Sequence, residues 1–304
     1  MTASALVVAL SGFIGCDEGP GKAWLVERTR ILGARVSAEI EPARASIAPG
    51  ETARIDWLIG FPGAPPSLSW SFAACVAPDG NFAKPACSGV VIASGEGSTR
   101  GAEQQRMNVT TPAAGVVGDA PREILVIAAF CEGAAAVLDA HLFTATCTGG
   151  GGEPLLGTAT VRLAAAGPNR NPEIARDAIR LDGVVLPDAL PGPSGAPCTP
   201  APDRPIAIAG SGERNIVFRF RGDEREAGEV LALSHVVTAG VLDRQRSSLE
   251  PEDPTPRDVT VSWTPPPIDQ VGEGGRLVEL FFILRDGRGG ADMARRTICV
   301  RRPG

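Results

Sequence analysis

Two histidines, seven cysteines and scattered carboxylates are the side chains of this 304-residue chain with the widest chemical reach. A zinc centre draws such groups together at short spacing. Here no cysteine pair forms C-x-x-C, and neither His141 nor His235 stands near a cysteine with ligand spacing. Calcium takes six to eight oxygens, often from a D-x-D-x-D-G ladder, and the chain has none. Asp286 and Asp292, which flank a glycine-rich turn, therefore read as solvated loop charges, as do Glu250, Glu252 and Asp253. A hydrolase elbow needs G-x-S-x-G, whereas Gly192-Pro193-Ser194-Gly195 is a proline loop. Gly95-Glu96-Gly97-Ser98-Thr99-Arg100-Gly101 is spelled like a dinucleotide loop. No β-α-β pattern surrounds it, so it reads as a hairpin or surface loop. Gly149 to Gly152 lacks the Lys-Ser/Thr of a phosphate loop. Arg221-Gly222-Asp223 follows a strand directly and reads as a tight turn. The expectation is a chain without catalytic, cofactor-binding or metal-ligating residues.

Cys16 stands apart from the other thiols. Ala3 to Gly15 (ASALVVALSGFIG) is the most continuous apolar stretch, too short to span a bilayer and of signal-peptide length. It ends in Phe13-Ile14-Gly15-Cys16, which resembles the bacterial lipobox. That resemblance implies a signal peptide over residues 1–15, a lipidated Cys16, and a polar tether over 16–29. Fully extended, Asp17 to Thr29 spans at most about 45 Å. Setting Cys16 aside leaves an even set: Cys75, Cys87, Cys131, Cys147, Cys198 and Cys299. In an exported chain such a set reads as disulfides. The first four allow three pairings. Cys75–Cys87 and Cys131–Cys147 are favoured, because each would start at a strand end and close a short loop. Cys198 and Cys299 are then left for each other.

The net charge of −6 argues against nucleic acid, which needs a basic face. Hydrophobic residues at 43% and charged residues at 21% are globular values. No apolar run reaches the roughly 18 residues that a membrane-spanning helix needs. Tyrosine is absent, and Trp57, Trp70 and Trp263 sit at core parity, which leaves little for an aromatic sugar platform. Trp24 falls near the tether. Arg295, Arg296, Arg301 and Arg302 read as a charged strand face.

These residues must be positioned by strands, since no useful 3.6-residue apolar stripe exists. Ala53, Ile55, Trp57 and Ile59 alternate, as do Leu68, Trp70, Phe72 and Ala74. Glu123 to Cys131 is apolar on both parities and should be central, and Gly157 to Leu163 closes a first domain over 30–165. Residues 166–171, rich in Pro, Gly and Asn, form an extended linker. A second domain over 172–304 ends in two strands around Asp286-Gly287-Arg288-Gly289-Gly290, a hairpin. Pro49-Gly50-Glu51-Thr52 before the Trp57 strand resembles bacterial immunoglobulin-like domains. That strand carries no cysteine, so the usual inter-sheet pin is expected to be missing. The last hairpin resembles those of polycystic-kidney-disease-type modules. The fold class is thus all-β, two immunoglobulin-like sandwiches.

With Lys22 and Lys84 its only lysines, the chain resembles two-module envelope lipoproteins of myxobacteria-like genomes. The resemblance implies a lipid-anchored place in the cell envelope, at the outer membrane or cell surface. It also implies a non-catalytic role in binding, adhesion or scaffolding, with envelope proteins or polysaccharide as partners. The rival is an exported enzyme or accessory subunit with its site at the sandwich loop ends. That rival requires a pocket holding His141 or His235 beside a carboxylate or serine.

Overall fold

The computed structural model describes residues 22–77, 85–100, 104–113, 123–150, 152–163, 169–189, 194–198, 207–210, 212–223, 225–226 and 228–303. Cys16, the apolar stretch before it and the 166–168 part of the linker lie outside the described residues.

The first sandwich is built from β1 (Arg30–Ala38), β2 (Ser46–Ile47), β3 (Thr52–Gly60), β4 (Ser67–Val76), β5 (Val91–Arg100) and β6 (Gln104–Thr110), then β7 (Glu123–Glu132), β8 (Ala135–Asp139), β9 (Thr144–Thr148) and β10 (Leu155–Leu163). The second holds β11 (Ile179–Leu181), β12 (Val184–Val185), β13 (Ala207–Ala209), β14 (Arg214–Phe220), β15 (Leu231–Val237) and β16 (Val241–Leu242). It continues with β17 (Arg246–Leu249), β18 (Arg257–Thr264), β19 (Arg276–Arg285) and β20 (Ala291–Arg301). One 3-10 turn, Ile268–Gln270, is the sole helical element among the described residues.

Both sandwiches follow one strand plan. The first sheet runs β1-β3-β6 in one and β11-β14-β18 in the other, the latter flanked by β12 and β16. The second sheet runs β2-β10-β7-β4-β5 in one and β13-β20-β19-β15-β17 in the other. In each, a short strand pairs parallel with the last strand, and all other pairings are antiparallel. This is the immunoglobulin-like arrangement with an extra edge strand on the second sheet, as in variable-type domains.

No disulfide joins β3 to β7, as the sequence suggested, and an aromatic pair occupies that place instead. Trp57 on β3 meets Phe130 on β7 edge-on, with ring centroids 5.7 Å apart. At the matching strands of the second sandwich, Phe218 on β14 faces Phe282 on β19 at 6.5 Å. Each pair lies at the centre of a closed apolar cluster. Glycines make room for the large rings. A Cβ at Gly157 would sit 2.8 Å from Trp57, and one at Gly97 would sit 2.4 Å from Trp70. Gly95 meets Phe72 in the same way. The dinucleotide-loop spelling from Gly95 to Arg100 is therefore part of an edge strand, β5, whose glycines accept the aromatic faces of β4.

The strands β7 and β19 are apolar on both faces for one reason: both faces are covered. On β19, Val278, Leu280, Phe282 and Leu284 fill the second core. Phe281 and Ile283 turn outward and pack with Leu58, Val236 and Val26 where the two sandwiches meet. The tether expectation fails here for its described end. Val26 and Val237 exchange backbone bonds with the neighbouring segment, Val26 N–H to Val237 O and Val237 N–H to Trp24 O. Trp24 packs against the second core.

The linker is likewise clamped rather than merely extended. Asn171 donates to Val36 O at 2.9 Å and accepts from Ala291 N–H at 2.9 Å. Asn169 donates to Asp286 Oδ2 at 2.9 Å. Asp286, only 2% exposed, also accepts from the N–H groups of Arg288 and Gly290 across its own turn. Asp292 accepts from Ile174 N–H at 2.8 Å and pairs with Arg35 at 2.7 Å. Burial pushes the Asp292 carboxyl above its usual range, against the Ile174 N–H and Arg35, which hold it down. So these two carboxylates are not solvated loop charges. They join the modules, because a carboxylate this buried needs donors from every side.

Candidate binding site

Three disulfides join Cys75 to Cys87, Cys131 to Cys147, and Cys198 to Cys299, with Cα separations of 5.8, 5.6 and 5.8 Å. The first two brace one feature, a flap made by the β8–β9 hairpin. Cys147 on β9 bonds to Cys131 at the end of β7. The flap lies across the outer face of the second sheet, where Leu125, Ile127, Ala129 and Cys131 form the other parity of β7. Small residues permit the close approach: Ala73, Ala129, Ala134, Ala136 and Ala140 fill most of the contact.

The flap tip is fixed by short bonds. Asp139 Oδ1 accepts from the N–H groups of His141 at 3.0 Å and Leu142 at 3.1 Å, a side chain closing its own turn. Cys87 N–H donates to Ala140 O at 2.9 Å, and His141 Nδ1 lies 2.8 Å from Cys87 O. Thus Cys87, bonded to Cys75, grips the tip while Cys131–Cys147 holds the base. Between flap and sheet runs a groove of about 560 Å³, lined by Ser71, Val91 and Ser94 on one side and Val137, His141 and Thr144 on the other. Of its lining, Val137 is 51% exposed, and two exposed apolar residues adjoin lining residues in sequence: Val90, 81% exposed, next to Val91, and Leu142, 66% exposed, next to His141.

A larger recess, about 750 Å³, lies between the sandwiches. Several of its charges are paired. Arg35 pairs with Asp292 at 2.7 Å, Arg296 with Asp188 at 3.0 Å, and Arg295 with Glu279. Arg296 is 3% exposed, so the basic tail is only in part an exposed strand face. Burial lowers the Arg296 pKa, while Asp188 opposes that shift.

The two histidines part company. His141 is exposed on the flap. His235 is buried on β15, at 2% exposure, with Nε2 3.0 Å from Ser247 Oγ. Its place follows from the shared plan. On β4 the residue opposite Phe130 is Trp70, and on β15 the residue opposite Phe282 is His235. The imidazole meets Phe282 edge-on at 5.9 Å, as a core aromatic would. Leu231, Leu233, His235 and Val237 share one parity, a signal present in the sequence.

Burial, with Arg244 adding to it, lowers the His235 pKa from 6.5 to about 4. The unfolded chain therefore binds the proton first as pH falls. Stability is full above about pH 6.5, falls between about 6.5 and 4, and is level below. The loss amounts to ~3 kcal/mol. His235→Phe keeps the edge-on contact and cannot charge. Its urea midpoint should lose less between pH 7 and pH 4 than that of the parent, and identical pH profiles would refute this reading.

The remaining singled-out residues are structural. Ser194 donates to Thr238 Oγ1 at 2.6 Å within the protein. Asp253 accepts from Glu250 N–H at 2.8 Å and pairs with Arg257. Arg221 pairs with Asp177. Trp57 and Trp263 are fully buried, and Trp70 is half-buried. Among the described residues, no group of three or more His, Cys, Asp or Glu side chains is placed to hold a metal ion. Sequence reasoning missed Val90, Val137 and Leu142. The available signal was the second apolar parity of β7, which demands a cover.

No family model matches the chain, and no curated protein matches it. Among solved structures, red sea bream transglutaminase aligns at 9% identity with a TM-score of 0.26, over 90% of this chain and 32% of its own. The chain thus spans about a third of the length of that protein. The two tandem V-type regions of VCBP3, a v-region-containing chitin binding protein, align at 8% identity with a TM-score of 0.24. That alignment covers 88% of this chain and 99% of the other.

Proposed function

We propose that the protein is a lipid-anchored cell-envelope lipoprotein that binds an apolar protein surface through the flap of its first sandwich. The observation that carries this reading is the exposure of Val137 and Leu142 on the flap and of Val90 three residues after Cys87, on a feature braced by two disulfides. Large apolar side chains clustered at a braced loop end mark interaction surfaces. Three disulfides suit an oxidising compartment. Gly15-Cys16 after an apolar stretch supplies the acceptor thiol for the anchor.

Two measurements test it. Protein extracted from its native host should have a mass beginning at Cys16 plus acyl chains, and gain about 2 Da per disulfide on reduction. An unprocessed, unchanged mass removes the envelope assignment. With Cys16→Ala removing the anchor, cosedimentation with isolated host envelopes should weaken at least about tenfold further in Val137→Glu/Leu142→Glu, since two apolar contacts are lost. Unchanged cosedimentation of that variant, with Glu252→Lys as the control, removes the flap as the binding surface.

A further inference from the structure

Among the described residues, the edge strand β5 has no partner on its outer side. It spans ten residues, Val91–Arg100, and pairs only with β4. Among the described residues no further backbone bond reaches it. The other edges are short or engaged. The strands β2, β12, β13, β16 and β17 have two to four residues each. The edge of β1 receives Arg285 at Leu32 O and Asn171 at Val36 O. The edge strand β6, at seven residues, is shorter than β5, and its Arg106 turns back to Asp56 on β3.

Natural edges are usually blunted by lysine, proline, inward charges or bulges. Strand β5 has no lysine or proline, and its one irregularity lies at its start, beside Ala74 and Cys75. Its outer face presents Ser94, Glu96, Ser98 and Arg100, all exposed. Glu96 and Arg100 form no ion pair with any described residue.

We infer that β5 is a self-pairing edge: two copies of the chain join antiparallel through it, forming one continuous ten-stranded sheet. Charge selects the register. A two-fold axis normal to the sheet keeps faces matched, so paired residues share parity. Centring the axis on Glu96 sets two carboxylates opposite each other, which is unfavourable. Centring it on Ser98 sets Glu96 opposite Arg100, and the symmetry makes that pair twice. Backbone bonds of the added strand supply the affinity, as in other strand-addition contacts. The same axis leaves both flaps on one face of the joined sheet. The inference does not depend on what the flap binds.

Sedimentation of the full chain over a roughly hundredfold concentration range tests it. Self-association is expected in the parent. Glu96→Arg and Arg100→Glu should each weaken it about tenfold, because each turns two attractive pairs into two repulsive ones. The double reversal should restore it. Both side chains are exposed, so unchanged far-ultraviolet circular dichroism is expected in all three variants. A monomer across the whole range overturns the inference. So does association that ignores both single reversals, or a double reversal that fails to recover it.

Discussion

Replacing both Cys198 and Cys299 by alanine should lower the unfolding free energy of the second sandwich by about 4–5 kcal/mol, the largest loss from any one of the three disulfides. The argument is one of chain length. Cys198 and Cys299 are 101 residues apart in sequence, against 12 for Cys75–Cys87 and 16 for Cys131–Cys147. Closing a long loop removes more freedom from the unfolded chain than closing a short one. The short loops are worth roughly 3 kcal/mol each on the same reckoning. Local bonds will soften the loss. Gly195 N–H donates to Leu277 O, Leu277 N–H to Ala196 O, and Cys198 N–H to Gly274 O, so the 194–198 segment keeps three anchors without the bridge. Alanine is the right replacement, because Cys299 is 2% exposed and a serine hydroxyl there would be buried without a partner. Urea unfolding followed by Trp263 fluorescence reads the result. If the Cys198/Cys299 variant loses no more than the Cys75/Cys87 variant, loop length is not what sets the rank.

How much of this was legible in the sequence depends on how local the signal was. The C-terminal hairpin was readable because its turn chemistry lies within Asp286 to Gly290, and β19 and β20 pair residue for residue around it. The alternation on β3 and β4 was readable for the same reason. The doubly apolar β7 was read as central, and it is, with β10 on one side and β4 on the other. What hid was everything set by partners far along the chain. Asn171 bonds to Val36 and Asn169 to Asp286, separations of 135 and 117 residues, so their local composition spelled only a linker. Asp286 and Asp292 looked like solvated acids because nothing local shows their distant partners, Asn169 for the first and Arg35 for the second.

The candidate site was hidden in a different way. The flap is two five-residue strands of mostly alanine and threonine, too small to stand out by hydrophobicity. Its existence is implied only by β7, whose outer parity would otherwise face water. The place of His235 was hidden as well, and only its equivalence with Trp70 explains why an imidazole is buried there. Two sandwiches on one plan thus interpret each other. A residue that is puzzling in one module becomes ordinary once its counterpart in the other is known.

That equivalence gives the second large effect. Phe130→Ala should destabilise the first sandwich by about 3–5 kcal/mol, and Phe282→Ala the second by a similar amount. In domains pinned by a disulfide between these two strands, covalent linkage fixes the inter-sheet spacing. Here no disulfide spans the two strands, and ring pairs stand in its place, Trp57 on Phe130 and Phe218 on Phe282. Phe130 and Phe282 are 0% and 1% exposed, so truncation opens a cavity that neither sheet can close without sliding. The edge-on geometry adds roughly 0.5–1.5 kcal/mol beyond buried area. Phe130→Leu, which keeps most of the volume but not the ring, should therefore cost less than the alanine change but more than zero. A double-mutant cycle between Trp57→Ala and Phe130→Ala isolates the pair. The expected coupling is of the same order, about 0.5–1.5 kcal/mol. If Phe130→Ala costs under about 1.5 kcal/mol, the usual loss for a mild core substitution, then the pin is not what holds the sheets together. The burden would then rest on the aliphatic layers around it, Ile55, Ile59, Val126 and Val161.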